Sequence, residues 1–156
     1  MTGQSLAANL YIRARGYYAA GSGSVVESIR TVGAGTDPRM SLDGPANNAT
    51  IKQPFNTGGW AVDLGATSGV GVDAVHVWAF PVVNGVIGAG QFVNAALLGG
   101  ARPDVAAVFG SQFANAGFNF LMTGLSPGQY YVGVYVHSSV TGTFNQQQFA
   151  LVTIVQ

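Results

Sequence analysis

The chain has 156 residues, of which 48% are hydrophobic and only 8% charged, and six basic side chains cancel six acidic ones to a formal net charge of +0. That length suits one domain with some extra chain. Six dispersed cations exclude a nucleic-acid binder, which needs a basic surface to displace counterions; the apolar content excludes a disordered tail; and the absence of Cys excludes disulfides, thiolate catalysis and Cys-ligated metal centres.

Residues 1–9 hold no basic residue followed by an apolar run, so no secretory signal is expected there. Leu10, Ile12 and Ala14 then alternate with Tyr11, Arg13 and Arg15, a period-2 strand signal. Gly21-Ser22-Gly23-Ser24 reads as a turn and residues 25–32 as a second strand, together an N-terminal β-hairpin. Residues 33–47, rich in Gly, Pro, Asp and Asn, read as a linker or long loop. The expected division is therefore an arm and linker over residues 1–47 and a folded body over 48–156.

The body reads as short strands separated by turn signals: residues 49–51, 59–64, 74–80, 86–98 with a break near Gly90, 118–124, 129–137 and 144–155. Strands of this number and spacing predict an all-β fold, an antiparallel sandwich. One helix-like piece of one or two turns is expected at residues 103–113, with Pro103 at the first helical position and Gly110 as its stop. The longest apolar stretch, residues 70–90, is broken by Asp73, His76, Pro81 and Asn84, so no membrane span is expected.

Gly124-Leu125-Ser126-Pro127-Gly128-Gln129-Tyr130 resembles the tyrosine corner of immunoglobulin-like and fibronectin type III sandwiches. That resemblance implies a structural role for Tyr130, whose hydroxyl would bond back to backbone across the corner. A wider resemblance covers residues 46–156. Gly59-Trp60-Ala61-Val62-Asp63, Gly71-Val72-Asp73-Ala74-Val75-His76-Val77-Trp78, Gly100-Ala101-Arg102-Pro103-Asp104-Val105 and Phe109-Gly110-Ser111-Gln112-Phe113 look like an immunoglobulin-like domain of large bacterial surface or secreted proteins. Leu10-Tyr11-Ile12-Arg13-Ala14-Arg15-Gly16 through Ser28-Ile29-Arg30 resembles the closing strands of a bacterial β-propeller repeat that precedes such domains; the propeller itself is not in this sequence. The resemblance implies an immunoglobulin-like β-sandwich in an extracellular or cell-surface setting, and it carries no catalytic residues and no cofactor.

The strand patterns locate a candidate contact surface. Val75, Val77 and Ala79 alternate with His76, Trp78 and Phe80; Val132, Val134 and Val136 alternate with Tyr131, Gly133, Tyr135 and His137. In the last strand Ala150, Val152 and Ile154 alternate with Phe149, Leu151, Thr153 and Val155. If the Val rows face the core, the other rows make an aromatic outer face of His76, Trp78, Phe80, Tyr131, Tyr135, His137, Phe149 and Leu151. A solvated face alternates with polar residues, so something is expected to cover this one: the N-terminal hairpin, a loop such as residues 109–118, or another copy of the chain. Low charge and Asn145-Gln146-Gln147-Gln148 favour self-association or contact with neighbouring domains. The alternative is a carbohydrate-binding or adhesion module in which Trp78, Tyr131 and Tyr135 stack on sugar rings.

Catalytic and metal signals are weak. His76 and His137 on adjacent strands could share a metal but lack a third ligand. Asp63, Asp73 and Asp104 stand at turns or strand ends, where Asp commonly caps, and no Asp-rich calcium loop exists. Glu27 is the only Glu and Lys52 the only Lys, no Gly-x-Ser-x-Gly elbow is present, and no Gly loop is placed to cradle phosphate. Asn48-Ala49-Thr50 matches a glycosylation acceptor. Arg13, Arg15 and Arg30 read as solvated strand-face charges. The expectation is a non-enzymatic protein without metal or cofactor.

Overall fold

Alternating residues build strands here in two separate sets. The structure is a computed structural model that describes residues 10–17, 23–30 and 35–156. It divides into two units, Met1–Gly35 and Thr36–Gln156. In the first, β1 (Leu10–Tyr17) and β2 (Gly23–Arg30) form an antiparallel hairpin with Leu10 opposite Arg30 and Arg13 opposite Glu27. Gly21 and Ser22 of the expected turn, and residues 31–34, lie outside the described residues.

The second unit is an antiparallel β-sandwich. Its strands in chain order are β3 (Pro38–Gly44), β4 (Ala49–Lys52), β5 (Phe55–Asp63), β6 (Val72–Val83), β7 (Val86–Ile87), β8 (Gln91–Ala95), β9 (Leu97–Gly100), β10 (Gly117–Met122), β11 (Gly128–Ser138) and β12 (Thr143–Val155). One sheet has the order β3-β5-β10-β9; the other runs β4-β12-β11-β6, with β7 and β8 both paired to β6. Every pairing is antiparallel except β4 with β12.

The period-2 pattern puts one row of each strand inside. Val75, Val77, Val132, Val134, Val136 and Val152 are fully enclosed between the sheets, opposite Ala61, Phe118 and Met122. Gly59 sits where β3 and the Phe118 ring press closest: a Cβ there would lie 1.9 Å from the Ser41 carbonyl oxygen. A second apolar cluster lies on the outer side of the four-stranded sheet. There α1 (Pro103–Phe109) and a 3₁₀ turn at Ser111–Phe113 cover Val62 with Val105, Phe113 and Ala116. Pro103 opens the helix and Gly110, at φ 112°, closes it, as expected.

Three expectations are corrected. Residues 38–44 are not linker: β3 pairs with β5, and its Met40 and Leu42 pack on the core, so the folded unit starts at Thr36 and not at residue 48. Pro at the first residue of an edge strand loses no ladder bond, which is why its composition looked like a loop. The break expected near Gly90 is present between β7 and β8, but the remainder, residues 91–98, is not one strand either. The chain crosses between sheets at buried Ala96, whose amide donates to the Val75 carbonyl, so β8 joins one sheet and β9 the other. Finally, the segment 109–118 covers the four-stranded sheet and leaves the aromatic rows of the other sheet alone.

Candidate functional site

The outer face of the six-stranded sheet carries the aromatic rows. Register sets the ranks: Trp78, Gly133 and Phe149 lie side by side across β6, β11 and β12, as do Phe80, Tyr131 and Leu151, and His76, Tyr135 and Gln147. All eight residues read from sequence as contact candidates (His76, Trp78, Phe80, Tyr131, Tyr135, His137, Phe149 and Leu151) stand on this face, half-buried or exposed, while their Val and Ala neighbours are buried.

The rings touch in a continuous network. Trp78 stacks on Phe80 at 6.4 Å and meets Tyr135 edge-on at 6.2 Å. Phe149 joins Phe80 at 6.0 Å and Tyr135 at 5.7 Å, both edge to face, the geometry favoured by aromatic quadrupoles. Gly133 makes room for this: a Cβ at that position would lie 2.8 Å from the Phe149 ring and 3.1 Å from Phe80. Two shallow grooves result. One of about 390 Å³ is lined by Phe80, Ile87, Tyr131, Tyr135 and Phe149, the other of about 420 Å³ by His76, Trp78, Phe80, Tyr135 and Phe144. Neither lining includes an Asp, Glu, Lys or Arg.

Sequence reasoning missed two rings. Phe92 of β8, 48% exposed, packs edge-on against both His76 and Trp78. Phe144, 46% exposed, joins because a bulge at Asn145 shifts the β12 register and turns it outward beside His137. Its ring lies 4.6 Å from the His76 imidazole and 4.9 Å from that of His137. An aromatic ring therefore stands between the two His, and His137 Nδ1 pairs with Asp73 Oδ1 at 2.5 Å. That hydrogen bond, against a smaller opposing effect of burial, raises the His137 pKa above its ordinary value. Among the described residues no three metal-ligating side chains converge.

Tyr130 does not latch the corner as the resemblance implied. Its ring packs on the core, and among the described residues its hydroxyl has no hydrogen-bond partner. Gln53 holds the turn: its Nε2 donates to the Leu125 carbonyl at 2.5 Å, and its Oε1 accepts from the Leu125 amide at 2.9 Å. The Asn145–Gln148 run, expected as an outer contact surface, works mostly inside. Gln148 Oε1 accepts from the Leu42 amide at 2.7 Å, and Gln146 Nε2 donates to the Pro38 carbonyl at 2.5 Å.

The fold and face define an antiparallel β-sandwich with one aromatic sheet surface. No protein-family model matches the chain, and no curated protein matches it. Among solved structures, a similar chain is the crystal structure of an engineered protein, with a TM-score of 0.41 and 14% identity; the match covers 77% of this chain and 20% of that one.

Proposed function

We propose that this chain is a non-enzymatic structural module of a bacterial extracellular or cell-surface protein, acting by protein–protein contact and self-associating through the aromatic sheet face and the N-terminal arm. The bacterial surface setting rests on the resemblance of residues 46–156. The self-contact rests on one observation: a connected set of half-exposed rings whose two grooves have no charged lining. Apolar patches of this kind on a soluble protein mark interaction sites. Few long charged side chains need ordering in such a contact, and near-zero net charge offers little repulsion between copies. A lone two-stranded hairpin is marginal in water, so β1 and β2 gain by docking on a further surface.

The carboxylates of the sandwich support a structural role. Asp63 is bonded internally, Asp73 pairs with His137, Asp37 with Arg39, and Asp43 and Asp104 share Arg102. A sugar on the aromatic face is the weaker reading, because the groove walls offer ring stacking with few polar groups to read hydroxyls.

Sedimentation velocity across a concentration series tests the proposal. The intact chain should show reversible, concentration-dependent association. Trp78→Ser with Phe149→Ser should leave a folded monomer, since truncating a central ring costs about 2–4 kcal/mol of association. A strict monomer at high concentration, or unchanged association in the double variant, overturns it.

A further inference from the structure

A different surface carries the polar chemistry that the aromatic face lacks. A cleft of about 650 Å³ wraps the edge of β3, with Trp60 and Phe109 on one wall, Arg39 at the rim and residues 145–148 on the other wall. From it we infer a binding site for a neutral oligosaccharide, independent of the self-association reading.

The apolar wall is packed on the fold. Trp60 and Phe109 lie 5.7 Å apart at 46°, pack on the cluster of Val62, Val105 and Phe113, and remain partly exposed along the cleft. A fixed aromatic platform suits the C–H face of a pyranose, which needs a flat apolar partner and no rearrangement.

The polar wall is incomplete. Asn145 Oδ1 and Gln146 Oε1 are both shielded from solvent, and neither accepts a hydrogen bond. Buried acceptors are normally satisfied, and the residues bearing these two border the cleft. Both amides belong to side chains that are partly exposed, and turned toward the cleft their oxygens would accept from ligand hydroxyls. At the rim, the Arg39 guanidinium is held by Asp37 at 2.8 Å and stays half exposed, with N–H groups left to donate to a ligand oxygen. Because Asp37 neutralises Arg39, a neutral sugar fits better than an acidic one. The volume lies within the roughly 300–1,000 Å³ of small-molecule sites, and an aromatic wall with a few convergent polar groups is their usual make-up.

Trp60 and Trp78 are the only two tryptophans, which makes the test direct. In a Trp78→Phe chain all tryptophan emission reports on the cleft. It is titrated with hexasaccharides of β-1,4-glucose, β-1,4-xylose, β-1,4-mannose and β-1,4-N-acetylglucosamine, and with a galacturonate oligomer as the acidic comparison. The expected result is a saturable emission change with at least one neutral sugar, weakened tenfold or more by Arg39→Ala. That side chain is exposed, and circular dichroism checks that the fold is kept. The inference is overturned by no saturable change, by a change indifferent to the rim variant, by preference for the galacturonate, or by a response found only in a Trp60→Phe chain. Sedimentation of the same chains reads self-association separately.

Discussion

Asp63 is fully enclosed with no cation bonded to it among the described residues, and four donors take the place of one. The hydroxyls of Thr36 and Ser138 donate to Oδ2 at 2.6 Å each, and the amides of Asp37 and Gly65 to Oδ1 at 2.9 and 3.0 Å. Burial pushes its pKa up, but the hydrogen bonds from Ser138, Thr36, Asp37 and Gly65 together outweigh it and leave the group below its ordinary value. A carboxyl lowered on folding contributes stability that is complete above its unfolded pKa, about 3.9, and is lost as pH falls through the lower folded value. Asp63→Asn should therefore cost about 2 kcal/mol or more, since hydrogen bonds to a charged group are the strong kind, and should flatten the acid limb of a pH series of urea midpoints. His137 has the opposite sign. Its raised pKa makes the Asp73 pairing a contribution present below about pH 6.5 and lost as pH rises through the folded value. Asp73→Asn should lower the His137 midpoint in an NMR titration of the imidazole protons, with little change in stability because the pair is largely exposed.

At the scale of elements, β3 is an edge strand whose outer backbone groups are met by side chains. Gln148 bonds both the Leu42 amide and, at 3.4 Å, the Met40 carbonyl, while Gln146 takes the Pro38 carbonyl. Gln148→Ala should cost about 1–2 kcal/mol and should expose the Leu42 amide to hydrogen exchange well before those of β11. This device was not legible in sequence. Alternation does put Gln146 and Gln148 in the inward row of Ala150, Val152 and Ile154, but nothing local says that β3, hidden by its turn residues, lies there to be bonded. The long central strands were legible, because six buried valines alternate with rings in β6, β11 and β12 and a period of two admits one reading. β3 was hidden by Pro38, Asp43 and Gly44, turn residues that an edge strand tolerates. The split of β8 from β9 was hidden because a crossover at Ala96 has no local signature. Most of the candidate face followed from alternation alone; Phe92 and Phe144 did not, since a crossover and a bulge placed them.

On the scale of the whole molecule, the two units test the two halves of the proposed function. A chain of Thr36–Gln156 retains every strand of both sandwich sheets and should keep the far-UV signature of the sandwich. If the arm contributes to assembly, this shortened chain should associate at least tenfold more weakly than the intact one by sedimentation equilibrium. Equal association would remove the arm from the reading and leave the aromatic face alone. Gly133→Ala provides an independent check, because its methyl displaces the Phe149 and Phe80 rings without touching the core. It should lower self-association while changing the unfolding free energy by about 1 kcal/mol or less.

The four-donor knot at Asp63 also ties down the start of the second unit, since two of its strings come from Thr36 and Asp37. Acid strong enough to protonate that carboxyl would loosen both, yet the Leu64 amide still donates to the Asp37 carbonyl at 2.9 Å, so the fastening at the head of β3 would slacken by one residue without letting go.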